Sequence, residues 1–209
     1  MNSYTVPLNH EEQRHACYQG RFKWFINDLA DKLEGVFLGA GIFKEKQLVR
    51  MGDNKLLTEL CDSFLHGIRT TNRAILDSVY KTRDARFDES EDFYRRLTSA
   101  FNLVRQMEVI HDTTLMKPHM VYSLAQAITH VRRPVRKLRK LFKSPGVKSI
   151  DLQLALPNLT ALAQAVDSGE DSNGRFVEFV DASNEKTNVR ENREIRFKWL
   201  CKALCSEQI

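Results

Sequence analysis

Residues 117–143 read KPHMVYSLAQAITHVRRPVRKLRKLFK, and this stretch decides the class of the chain. Val121, Leu124, Ile128 and Val131 recur at spacings of three and four, the signature of one helical face. Val135, Leu138 and Phe142 continue that spacing. Pro118 suits a first helical turn, where its missing N–H costs nothing. The pattern predicts a helix, and Pro134 inside it predicts a kink or a split into two pieces. On a helical wheel Val131, Val135, Leu138 and Phe142 form a narrow stripe. Arg132, Arg133, Arg136, Lys137, Arg139, Lys140 and Lys143 cover most of the remaining face, and Lys148 follows in the next loop. The expected arrangement is a basic helix, packed on one side and positive on the other.

Upstream, the same period predicts three more helices. The first spans about residues 10–38, with Asn9 and Glu12 placed as a capping box and Phe22, Phe25, Ile26, Leu29, Leu33, Val36 and Phe37 as its stripe. A second starts after Asp53 and ends near Lys81, carrying Leu56, Leu57, Leu60, Phe64, Ile68, Ile75 and Val79. A third follows Asp88, which pairs with Glu91 as another capping box, and carries Phe93, Leu97, Phe101, Val104 and Met107. Short links between amphipathic helices favour antiparallel neighbours. The expected fold is therefore all-α, an up-and-down four-helix bundle over residues 1–145. An irregular extension is expected over 146–209: a short helix at 158–166, a loop at 168–174, a strand or extended piece at 175–180, and a final helix at about 189–204.

The charge distribution says more than the net value of +5. Residues 113–150 hold nine basic residues and no acidic one, so the remainder of the chain is mildly acidic. A solvated basic helix usually relieves its repulsion with interleaved Glu, and none is present. Such asymmetry points to a polyanionic partner. Basic residues spaced in this way track a phosphate backbone and release its counterions, and arginine adds bidentate contacts. Arg69, Arg73, Lys81, Arg83, Arg86, Arg95 and Arg96, and the last helix with Arg190, Arg193, Arg196, Lys198 and Lys202, are candidates to widen the surface.

Hydrophobic residues at 42% and charged residues at 28% suit a globular chain with its own core, and 9 Gly with 5 Pro are few for an all-β one. No apolar run reaches the ~18–20 residues of a membrane span, and the polar first ten residues show no secretory leader. Cys17, Cys61, Cys201 and Cys205 read as reduced thiols of a cytoplasmic protein. Cys201 and Cys205, four apart on one helix, make half a zinc site at most, and His111 with His119 straddle a helix junction. Neither a glycine-rich phosphate loop nor a Gly-x-Ser-x-Gly elbow occurs. No nucleophile, base and orienting residue can be named together, so neither catalysis, cofactor nor metal is expected. Phe176 and Phe179, beside Arg175, are candidates for stacking on bases, with core packing as the alternative.

Three pieces carry a family resemblance: LLTELCDSFLHGIRTTNRAIL at 56–76, FYRRLTSAFNLVRQMEVIHDTTL at 93–115 and KPHMVYSLAQAITHVRRPVRKL at 117–138. Their order, the His111-Asp112 step, Tyr122 early in the next helix and the basic helix end resemble the four-helix bundle proteins related to the accessory variability determinant (Avd) of diversity-generating retroelements. The similar core is 53–143. The chain departs from that family in its additional N-terminal helix, in the residues after 145 and in Ser144-Pro145-Gly146, which stands where the family often has small residues and Trp. The resemblance implies a non-catalytic, positively charged bundle that forms homo-oligomers and binds a reverse transcriptase with its RNA or RNA/DNA hybrid. Residues 132–140 match the family's charged helix end. The functional expectation is a nucleic-acid-binding accessory protein, RNA before DNA, with no membrane partner. The alternatives are a module that docks its basic helix on an acidic protein and a viral or phage protein that coats nucleic acid.

Overall fold

The computed structural model describes residues 7–168, 174–205 and 209. The described residues are helical and contain no strand. None of their helices is long and apolar enough to cross a membrane.

Helix α1 (His10–Cys17) starts where Asn9 predicts it. The Asn9 side chain accepts the N–H groups of Glu11 and Glu12, and Glu12 Oε2 accepts the Asn9 N–H at 2.7 Å. The expected continuous helix over 10–38 is broken at 18–20, and α2 (Arg21–Gly39) begins after Gly20. The loop at Asp84 packs against the break. A Cβ at Gly20 would lie 2.1 Å from the Asp84 carbonyl oxygen, and that oxygen accepts the Arg21 N–H at 2.7 Å. Helix α2 buries Phe22, Ile26, Leu29, Leu33, Val36 and Phe37, the stripe that its spacing predicts, with Phe25 half-buried beside them.

The short α3 (Glu45–Val49), which periodicity does not reveal, leads into α4 (Gly52–His66). The helix expected over 53–81 is also two. Gly67 adopts φ 89° and ends α4, and α5 (Arg73–Arg83) restarts under Asn72, whose side chain accepts the Ile75 N–H at 3.0 Å. Helix α6 (Ser90–Gln106) lacks the expected capping box. Its N-cap is Glu89 in a helical conformation, while Asp88 pairs instead with Arg86 at 2.6 Å. Two 3-10 turns, Glu108–Ile110 and Thr114–Met116, reverse the chain into α7 (Pro118–Arg132).

Every residue of α7 from 120 to 131 is buried. Helices α4 and α6 both pack against it, and both also pack against α2. Its remaining side is covered by the last helix, α10 (Arg190–Cys205). The C-terminal segment is more regular than expected. Helix α8 (Leu152–Ser168) is continuous through Pro157, and α9 (Val177–Asn184) occupies most of the piece left open as a strand. The loop expected at 168–174 falls largely on 169–173, outside the described residues. Phe197 and Leu200 of α10 and Leu159 and Leu162 of α8 join the same buried apolar cluster as Leu124 and Ile128. Arg196 is fully buried. Its guanidinium donates to the carbonyls of Ala182 and Thr187 and to Ser123 Oγ, which ties α9 and its following turn to α7.

Candidate nucleic-acid interface

The helical spacing of 117–143 ends at Arg132. Pro134 has no N–H to donate, and Arg133 before it takes an extended conformation, φ −143° and ψ 100°. Beyond it the basic segment is a loop with one 3-10 turn, Arg136–Leu138, and not the basic helix that the wheel predicts. The apolar positions nevertheless face inward. Val135, Leu138 and Ile150 are buried, and Leu141, Phe142 and Val147 are half-buried against the core. Between these anchors Arg136, Lys137, Arg139, Lys140, Lys143 and Lys148 are exposed.

His130 organises the loop from below. It is fully buried, and its Nδ1 accepts the Val135 N–H at 3.0 Å. That bond leaves the ring proton on Nε2, which faces the Phe142 carbonyl at 2.9 Å. One neutral imidazole thus holds both ends of the loop. Burial lowers its pKa, and Arg139 and Arg96 lower it further, against the Phe142 bond. Ser144 Oγ donates to the Val131 carbonyl at 3.0 Å, and the Val147 N–H donates to the same oxygen at 3.1 Å. They satisfy a carbonyl that the helix end leaves without a partner. Gly146, at φ 67°, gives the left-handed turn that this return requires.

The eight candidate residues divide by role. Arg132 is half-buried and donates to Ser99 Oγ on α6 and, at 3.4 Å, to the Lys148 carbonyl. Arg133 is exposed but pairs with Asp92 at 2.7 Å. Asp92 also takes Arg96 at 2.6 Å, and Arg96 donates to the Arg133 carbonyl at 2.7 Å. These contacts fix the chain where it leaves α7. Arg136, Lys137, Arg139, Lys140, Lys143 and Lys148 have no ion pair among the described residues. Their charges are held on an anchored loop and are open to solvent.

The structure adds Arg95 and Arg96 of α6 to this neighbourhood. In the sequence they are only secondary basic positions, because their closeness to Arg132 and Lys148 is a matter of helix packing. Other candidates lie elsewhere. Arg69 is held by the buried Asp62, and Arg193 by the buried Glu59 at 2.9 Å. Phe179 is fully buried and unable to stack on a base, while Phe176 packs edge-on against Trp199. Cys201 is buried and Cys205 exposed. His111 Nε2 faces the Val104 carbonyl at 2.9 Å and His119 Nε2 the Ser183 carbonyl at 3.2 Å. Compared with protein families, curated proteins and solved structures, the chain finds no match.

Proposed function

We propose that this protein is a non-catalytic nucleic-acid-binding accessory factor, with RNA or an RNA/DNA hybrid as ligand and the loop 133–148 as the contact surface. The observation that carries the reading is the set of six exposed cations without ion pairs among the described residues, held on one anchored loop. A flexible lysine tail would lose much conformational entropy on binding, and an anchored loop loses less. Phosphate contacts of this kind supply affinity without sequence preference. The resemblance of 53–143 to the Avd-related bundles supports a reverse transcriptase as the protein partner and a homo-oligomer as the working state. In the four-helix bundle expected over residues 1–145, as distinct from the Avd-like core, α2, α4, α6 and α7 are the antiparallel helices, and α10 is an added cover.

The test is binding to labelled single- and double-stranded RNA and DNA across a salt series. The comparison is a variant with Arg136, Lys137, Arg139 and Lys140 changed to Gln. These four side chains hold no other part of the fold, so the variant keeps its stability. Loss of affinity should come with a salt slope flatter by about 0.9 per lost duplex contact, or about 0.7 on a single strand. An unchanged slope removes the loop from the interface. Absence of any binding at ~100 mM salt, where several phosphate contacts still hold, favours docking on an acidic protein instead.

A further inference from the structure

We infer that a cleft beside the basic loop binds a phosphate monoester, the terminal phosphate of a strand. The inference takes its biological ligand from the nucleic-acid reading above, but its chemistry stands on the cleft alone. The cleft has a volume of about 190 Å³ and lies between α6, the end of α7 and the return of the chain at residue 148. Arg95, Arg96, Arg132, Arg133 and Lys148 line it; Asp92, outside the lining, pairs with Arg96 and Arg133. Ala100 and Ile128, both buried, give it an apolar floor.

Two features point to a ligand instead of a mere cluster of cations. Thr129 lines the cleft and is 4% exposed, yet its Oγ1 has no hydrogen-bond partner among the described residues. A buried helical threonine normally returns its hydroxyl to the carbonyl one turn earlier, and a buried polar atom without a partner is costly. Arg95 and Lys148 also keep their charges largely available. Arg95 has only a 3.8 Å contact with the exposed Glu91, and Lys148 has no ion pair among the described residues. Ser99 on the same wall already receives Arg132, so its hydroxyl proton is free to turn toward an anion.

Geometry selects the monoester. Cations approach from three separate stretches of chain, which matches the three acceptor oxygens and the charge near −2 of a terminal phosphate. A backbone diester offers two such oxygens and a single charge, and it must continue at both ends. The diester therefore belongs on the open loop and the strand end in the cleft.

The first test uses small probes and amide NMR on the full chain. Methyl phosphate should shift the amides of Ser99 and Thr129, and dimethyl phosphate should not. Equal response to both, or to neither, overturns the inference whether or not the protein binds nucleic acid. The second test uses one oligonucleotide with a 5′-phosphate, a 3′-phosphate or neither. One phosphorylated form should bind about tenfold more tightly, the size of one charge-assisted contact, and the arms identify the end that is read. Arg95→Gln with Thr129→Val, both in the cleft and outside the loop 133–148, should erase that preference while keeping most of the affinity for the unphosphorylated strand. Identical affinity of all three oligonucleotides rejects the strand end as ligand. Failure of every oligonucleotide to bind, with methyl phosphate still shifting Ser99 and Thr129, rejects the nucleic-acid reading and leaves the cleft as a monoester site.

Discussion

His130 is remote from solvent, yet it sets the shape of a surface. Its two ring nitrogens are committed to Val135 and Phe142, on opposite sides of the 3-10 turn that carries the cations. Replacing it with Leu fills the space and abandons both bonds. Each buried group left unpaired costs about 1–3 kcal/mol. Amide exchange should accelerate over 135–142, and nucleic-acid affinity should fall although no phosphate contact is removed. Unchanged exchange there would show that the apolar anchors alone hold the loop. The pair Glu59–Arg193 is a second residue-scale constraint. Both are buried, Thr71 donates to Glu59 at 2.9 Å, and the Arg193 guanidinium lies 4.3 Å from the centre of the Tyr122 ring. Removing either charge alone should cost about 3–5 kcal/mol, because its partner is then buried without compensation. Glu59→Met combined with Arg193→Met should cost less than the two single changes added, and chemical denaturation of the four proteins measures the coupling.

Two glycines test how the elements end and continue. Gly67 sits at φ 89°, and a Cβ there would meet only the Lys137 carbonyl oxygen at 3.6 Å and the Lys137 Cβ at 3.8 Å. Space is available and the backbone, at ψ 175°, is the obstacle, so Gly67→Ala should destabilise by about 1–3 kcal/mol. Gly35 lies within α2, and a methyl group added there would meet nothing within 4 Å. Gly35→Ala should stabilise by roughly 0.5–1 kcal/mol through helix propensity. Urea midpoints moving in opposite directions for the two variants are the expected result. Equal shifts would contradict the assignment of Gly67 as a conformational stop.

The protein as a whole should lose stability in mild acid. Burial, with Arg196 beside it, depresses the His119 pKa from 6.5 to about 4, and burial lowers those of His130 and His15 as well. Below pH 6.5 the unfolded chain takes up protons that the folded chain refuses. Stability is therefore full above that value and declines as pH falls toward 4. Asp53, whose pKa is raised by burial, acts in the opposite direction. Urea unfolding at about pH 7, 6 and 5 should show the decline, and His119→Asn should reduce its slope. A flat profile would mean that these histidines are as accessible to protons when folded as when unfolded.

Local chemistry was legible from the residues themselves. The helical class, the Asn9 cap, the start of α7 at Pro118, a disruption at Pro134 and the apolar stripe of α2 all follow from spacing and from what proline and asparagine do to a backbone. The uncompensated charge of 113–150 was legible too, because it is a property of composition. Tertiary structure decided the rest. Asp84 packs against Gly20 where the first helix breaks, and beyond Pro134 the path of 133–148 is held by His130, Val135 and Leu138, which find their partners in the core. Residues 120–129 carry no charged side chain, which is compatible with burial on every side, but the packing of α4, α6 and α10 around α7 produces it. The cleft formed by Arg95, Thr129 and Lys148 joins three distant stretches of sequence. Periodicity reports which face of one helix is apolar, and it carries no information about which other helix will cover it.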